Sequence, residues 1–82
     1  MLVILSEKAK KDYAKLQKPQ KKKIDRKLLS LMENNAQGKK LEGELSGQRT
    51  VRAWPYRILY EINERQQRIE VITIIHRQGA YK

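Results

Sequence analysis

The chain opens on the apolar run MLVIL, short and sharply bounded in the manner of a buried strand. Ser6 follows as a candidate helix N-cap, with Glu7 in the first turn, where its charge complements the helix dipole. Ala9, Tyr13 and Leu16 then recur at helical spacing, while Lys8, Lys10, Lys11 and Lys15 occupy much of the remaining surface. Lys18-Pro19 breaks this pattern, because the residue before proline avoids the α region, and Pro19 can open the next helix at its first position. There Ile24, Leu28, Leu31 and Met32 form an apolar stripe with Leu29 on its flank. Asn34-Asn35-Ala36-Gln37-Gly38 has the chemistry of a helix stop, since Asn and Gly tolerate left-handed backbone. Two helices joined at a proline predict a hairpin with a common apolar side.

From Gly43 onward the period becomes twofold. In GQRTVRAW, Arg49, Val51 and Ala53 fall on one side, and Thr50, Arg52 and Trp54 on the other. Pro55 marks a turn. YRILYEI alternates cleanly: Tyr56, Ile58, Tyr60 and Ile62 face one way, Arg57, Leu59 and Glu61 the other. NERQQ is the polar reversal. RIEVITIIHR is apolar on both faces near its centre, as a central strand should be. The predicted order is β-α-α-β-β-β, an α+β domain over residues 1–82. Two N-terminal helices pack on one face of a mostly antiparallel four-stranded sheet. The other face has no helix assigned to it, and Arg57 is expected to point there.

Register decides which charged groups meet. Directly paired antiparallel residues share a face, so Arg57 and Arg77 do so only if paired positions sum to an even number. Asn63 opposite Gln67, around a three-residue turn, meets that condition and sets Ile58 against Ile72 and Tyr56 against Ile74. An odd sum would oppose Glu61 and Glu70, a like-charge contact. The even register is therefore expected.

Composition narrows the partners. Hydrophobic residues make up 39% of the chain, too many for a disordered tail. Without Phe and with one Trp, the core must be mostly aliphatic. Without Cys, disulfides and thiolate-held zinc are excluded, and a reducing compartment fits. The apolar opening is too short for a signal sequence or a membrane span, so a cytoplasmic protein is expected. Nineteen Lys and Arg against nine Asp and Glu give a formal charge of +10. Such a field attracts polyanions, nucleic acid first, an acidic protein second and an anionic membrane third.

Three segments carry candidate chemistry. KPQKKKIDRK holds six cations in ten residues, which serves equally as a solvated helix surface or a track for phosphates. Arg57 lies mid-strand, an unusual place for Arg unless Glu61, Glu70 or solvent accommodates it. The end of the chain gathers His76, Arg77, Tyr81 and Lys82. Histidine titrates near neutrality, and a neighbouring cation such as Arg77 lowers the pKa of a tyrosine. The single His, with no metal-ligand spacing and no Gly-rich phosphate loop, disfavours a metal-dependent nuclease.

Taken in order, LEGELSG, VRAWPYRILYEI and IIHRQGAYK resemble the RelE/ParE superfamily of toxin-antitoxin toxins, and its RelE side most. The resemblance implies a RelE-like fold and a metal-independent, cofactor-free endoribonuclease that cuts messenger RNA in the ribosomal decoding site and inhibits translation. It implies that Arg57 and Arg77 hold the scissile phosphate. Tyr81 would transfer a proton, Arg52 would position or support charge, and His76 would share the proton transfer. Gln48 and Thr50 stand where RelE carries two lysines, which leaves Arg49, Lys39 and Lys40, with Lys82, as RNA-binding candidates. The interval from Arg77 to Tyr81 is also shorter than in RelE. The implied partners are a RelB-like antitoxin and the mRNA-loaded ribosome, with no membrane. The toxin would be monomeric alone and oligomeric with its antitoxin. Two alternatives share the fold: a ParE-like inhibitor of DNA gyrase, and a catalytically silent RNA- or antitoxin-binding module.

Overall fold

The computed structural model describes residues 1–35, 38–40 and 47–77. Its elements are β1 (Leu2–Leu5), α1 (Glu7–Ala14), α2 (Lys18–Glu33), β2 (Lys39–Lys40), β3 (Gln48–Ala53), β4 (Tyr56–Asn63) and β5 (Arg68–His76). The expected order is met, with the two-residue β2 added at one edge. The sheet runs β1-β5-β4-β3-β2. β1 lies parallel to β5, and the other neighbours are antiparallel.

Both helices bury their apolar sides on one face of this sheet. Ala9 of α1 and Ile24 and Leu31 of α2 meet Val51, Ala53, Ile58, Tyr60, Ile69, Val71 and Ile74 in the core. The alternation read along β3 and β4 holds, since the odd positions of β3 and the even positions of β4 supply those buried residues. Two helix boundaries differ from expectation. The extended residue before α2 is Gln17, one position earlier than Lys18, so Lys18-Pro19 opens the helix. Asn34 ends α2 at φ −132°, ψ 84°, outside the left-handed region, and Ala36 and Gln37 lie outside the described residues. Tyr60 makes the stop instead. Its buried hydroxyl accepts from the Gly38 N–H at 2.9 Å and donates to the Asn35 carbonyl at 3.0 Å.

The register of the last hairpin departs from the expected pairing. Asn63 faces Arg68 across a four-residue turn, Ile62 faces Ile69, and Glu61 faces Glu70. The side chain of Asn63 accepts from the Gln66 N–H at 3.0 Å, and Gln67 takes φ 53° to close the turn. The like-charge contact is tolerated because Arg68 donates from Nε and Nη2 to Glu70 Oε2 at 3.0 and 2.8 Å. Beyond Tyr60 the strands shift: Leu59 faces Thr73, Ile58 faces Ile74, Arg57 faces Ile75 and Tyr56 faces His76. Ile72 is the extra residue of a β-bulge. The expected pairs Ile58 with Ile72 and Tyr56 with Ile74 are therefore not formed, yet the shifted half is even in sum.

That bulge is held from α1. Ser6 donates its hydroxyl to the Ile72 carbonyl at 2.6 Å while accepting from the Ala9 N–H at 3.0 Å, so the helix cap and the bulge share one side chain. Two turns on, Asp12 Oδ2 accepts from Thr73 Oγ1 at 2.7 Å and from the Ile74 N–H at 3.1 Å. β1 pairs with β5 only as far as Val71, so this N–H lies beyond the β1 ladder and Asp12 takes its place.

Burial disfavours ionisation of Asp12, but bonds from Thr73, the Ile74 N–H and Lys8 outweigh it and hold the carboxyl below its ordinary pKa. A depressed carboxylate pKa stabilises the fold above the unfolded value, near 4, and that contribution disappears as pH falls through the folded value. Asp12→Asn is expected to cost about 1–3 kcal/mol at neutral pH. It should also flatten the loss of stability on acidification below about pH 4, read from urea melts at several pH values. An unchanged pH profile would remove Asp12 from this role.

Candidate functional site

The charged candidates gather at one corner of the sheet because of the two hairpins that end there. Ala53 and Tyr56 close the β3–β4 turn, with Trp54 and Pro55 at its tip. Directly behind the turn, Arg52 is paired with Arg57. Paired residues share a face, and this one is opposite the helices, since the neighbouring pairs Val51–Ile58 and Ala53–Tyr56 contribute to the core side. Two arginines directly opposed across strands repel each other, an arrangement that an anion between them would relieve.

Arg77 reaches the same corner by way of the bulge. Its N–H donates to the Pro55 carbonyl at 2.8 Å, extending the β4–β5 ladder by one residue beyond His76. Had the odd register of the distal hairpin continued, Arg77 would alternate onto the face opposite Arg57. The extra residue at Ile72 reverses that. Its guanidinium carbon lies 5.1 Å from the centre of the Trp54 ring, and that of Arg52 lies 5.9 Å from the same ring. Arg52 of β3, Arg57 of β4 and Arg77 just past the end of β5 thus share one face of this corner, with the Trp54 ring beside Arg52 and Arg77. Lys23 of α2 adds a fourth cation, its Nζ 3.4 Å from the Trp54 carbonyl oxygen.

The other candidates are placed differently. His76 pairs with Tyr56, packing edge-on with ring centres 5.2 Å apart, on the row that faces the helices. It neighbours Arg77 in sequence without sharing its face. Arg49 also lies on the helix side, opposite Tyr60, where its Nη1 donates to the Gly38 carbonyl at 3.0 Å. That contact gives it a structural occupation. Lys39 and Lys40 pair in register with Thr50 and Arg49. Tyr81 and Lys82 lie outside the described residues. Among the described residues no three His, Cys, Asp or Glu side chains stand close enough to hold a metal ion.

Burial raises the Tyr60 phenol above its ordinary pKa, although the Gly38 hydrogen bond and the Arg49 charge oppose it. It stays protonated at neutral pH and is no substitute for Tyr81 as a proton acceptor. Trp54 was not among the sequence candidates, since its strand parity alone was considered. The available signal was RAWPYR, where the one Trp of the chain sits at a proline turn between arginines.

Between β1, α1 and α2 a groove of about 570 Å³ is lined by Val3, Leu5, Tyr13, Asp25, Leu28, Leu29 and Met32. Leu29 is largely and Met32 partly exposed there, and β1 is an edge strand. This groove is apolar and distinct from the arginine corner, which belongs to the other sheet face.

Comparison with known proteins matches this architecture. The family model described as the ParE toxin of the type II toxin-antitoxin system parDE matches residues 3–81. Among solved structures, the toxin-antitoxin complex RelBE2 from Mycobacterium tuberculosis is 25% identical with a TM-score of 0.85, covering 92% of this chain and 95% of that one. The isolated Escherichia coli RelE toxin is 20% identical with a TM-score of 0.80, covering 92% and 82%. The YoeB/ParE toxin from Agrobacterium tumefaciens is also 20% identical, with a TM-score of 0.81 and coverage of 93% and 98%. No curated protein matches in sequence. With the family model spanning nearly its whole length and this fold beneath it, the chain belongs to the RelE/ParE family of type II toxin-antitoxin toxins.

Proposed function

We propose that this toxin is a ribosome-dependent, metal-independent mRNA endoribonuclease of the RelE kind. The observation that carries the reading is the convergence of Arg52, Arg57 and Arg77 on one corner, with two of them opposed as a cross-strand pair. In the cleavage, the 2′-oxygen of a ribose attacks the adjacent phosphorus, the bond from phosphorus to the 5′-oxygen breaks, and a cyclic phosphate forms. One proton leaves the 2′-hydroxyl and another is delivered to the departing oxygen. Negative charge accumulates on the pentavalent phosphorus, where Arg57 and Arg77 stabilise it, and Arg52 supports the charge from the neighbouring strand. Tyr81 moves the proton, whereas His76, packed against Tyr56 on the helix-facing row, lies on the wrong face for that duty. Acid–base groups this weak depend on placement, which the ribosome supplies by holding the message in an attack-ready geometry.

A RelB-like antitoxin is the expected cognate partner. The apolar groove beside β1 and α2 suits the apolar side of such a segment, and the +10 charge speeds its encounter if the segment is acidic. The toxin acts where ribosomes are, in the cytoplasm.

The family match to ParE favours one rival, inhibition of DNA gyrase without RNA chemistry. The two separate cleanly. Arg77→Ala combined with Tyr81→Phe should abolish translation-dependent cuts mapped along cellular mRNA while antitoxin binding persists. If growth arrest with DNA damage survives both changes and no cuts appear in the parent, the gyrase reading takes over.

A further inference from the structure

Trp54 has a position that neither the core nor the phosphate chemistry explains. It is 53% exposed, although large aromatic side chains are normally among the best buried. It stands at the tip of the β3–β4 turn, whose neighbours Ala53 and Tyr56 pack inward. Two guanidinium groups, from Arg52 and Arg77, approach its ring at 5.9 and 5.1 Å. Arg77 lies within cation–π reach and Arg52 at its outer limit, and half the residue stays open to solvent with both in place.

We infer that Trp54 is a stacking platform for one unpaired nucleobase of the RNA whose phosphate the arginines hold, and so a substrate-positioning residue of the site. This rests on the endoribonuclease reading and adds to it a contact with the base. The chemistry favours single-stranded RNA over a folded duplex, because only an unstacked base can offer its face to an exposed indole. It favours RNA over an acidic protein because an aromatic ring beside cations is the pairing that single-stranded nucleic acid meets along its backbone: a π-face for each base and a positive charge for each phosphate. An arginine leaving the ring as the base arrives is then free to turn to the phosphate. The apolar groove on the helix side offers a protein partner a separate place, so Trp54 is not needed for that purpose.

Trp54 is the one tryptophan of the chain, so its fluorescence reads the corner directly. The full chain would be titrated with a short unpaired RNA, and in parallel with an abasic ribose-phosphate oligomer of equal length and charge. RNA should quench the indole more strongly than the abasic oligomer does. Trp54→Leu should weaken RNA binding about tenfold, the usual effect of losing one stacked base, and leave abasic binding unchanged. Trp54→Phe should restore most of the affinity.

The slope of binding against salt separates contact from scaffolding. Stacking leaves the slope as it was, whereas a Trp that merely held the arginines would lower it when removed. Equal RNA affinity in the parent and Trp54→Leu, or a lowered slope, overturns the inference while leaving ribosome-dependent cleavage standing. Loss of antitoxin binding with RNA binding intact overturns it in favour of a protein contact. If the parent shows no preference for RNA over the abasic oligomer and cuts no message on ribosomes, it is the endoribonuclease reading that has failed.

Discussion

Replacing Arg57 by glutamine is expected to slow cleavage of ribosome-bound message by about a hundredfold to a thousandfold, the usual cost of removing one donor aimed at a developing oxyanion. Glutamine keeps part of the apolar stem and removes the charge, so the half-buried position stays filled. The loss should lie in the chemical step: single-turnover assays on programmed ribosomes would show a slower rate at saturation with similar binding. Arg57 is the informative choice because it sits between two others. Arg52 faces it across β3 and β4, and Arg77 shares its face by virtue of the bulge in β5. A variant with cleavage within threefold of the parent would remove Arg57 from the reaction and leave the arginine pair without a purpose.

The second large effect concerns stability and lies far from that corner. Gly38→Ala is expected to destabilise the fold by about 1–3 kcal/mol, the range for forcing an atom into a filled space. A Cβ at this position would lie 2.6 Å from Tyr60 Oη and 2.8 Å from the Thr50 carbonyl oxygen. The hydroxyl could retreat only by giving up its bonds to Gly38 and Asn35, and the Thr50 carbonyl belongs to β3. In a domain this small, a loss of that size lowers Tm by about 4–8 °C per kcal/mol, easily read by calorimetry. Combining it with Tyr60→Phe should recover only part of the loss, because the backbone contact remains. If Gly38→Ala melts within a degree or two of the parent, the turn after α2 is looser than this packing describes.

These expectations draw on different layers of information. The alternation in RTVRAW and YRILYEI reads directly into β3 and β4, because a strand's sides are set by a period of two and nothing distant alters that. The helical hairpin was equally legible from Ala9, Ile24 and Leu31, all fully buried as their spacing implied. Helix ends were less so. The stop after α2 comes from a tyrosine hydroxyl on a strand 25 residues away from Asn35, which no local rule contains. Arg49 shows the same limit: its parity on the core side was visible, but its bond to Gly38 was not.

The pairing of β4 with β5 marks the boundary most clearly. Charge repulsion between Glu61 and Glu70 argued against the register that forms near the turn, and Arg68, two residues from Glu70, removes the objection. The bulge was invisible for a deeper reason. An extra residue is stable only when its unpaired backbone groups find partners, and those come from Ser6 and Asp12, sixty-odd residues upstream. By itself the sequence determined the elements apart from the two-residue β2, their inward faces and the identity of the cations. The shared side of Arg57 and Arg77 was expected from an even register, but tertiary structure decided that a bulge and not the turn brings it about, and that a tryptophan stands beside Arg52 and Arg77. Side-chain alternation is a property of the local backbone, whereas register is chosen by whichever distant groups satisfy the hydrogen bonds left over.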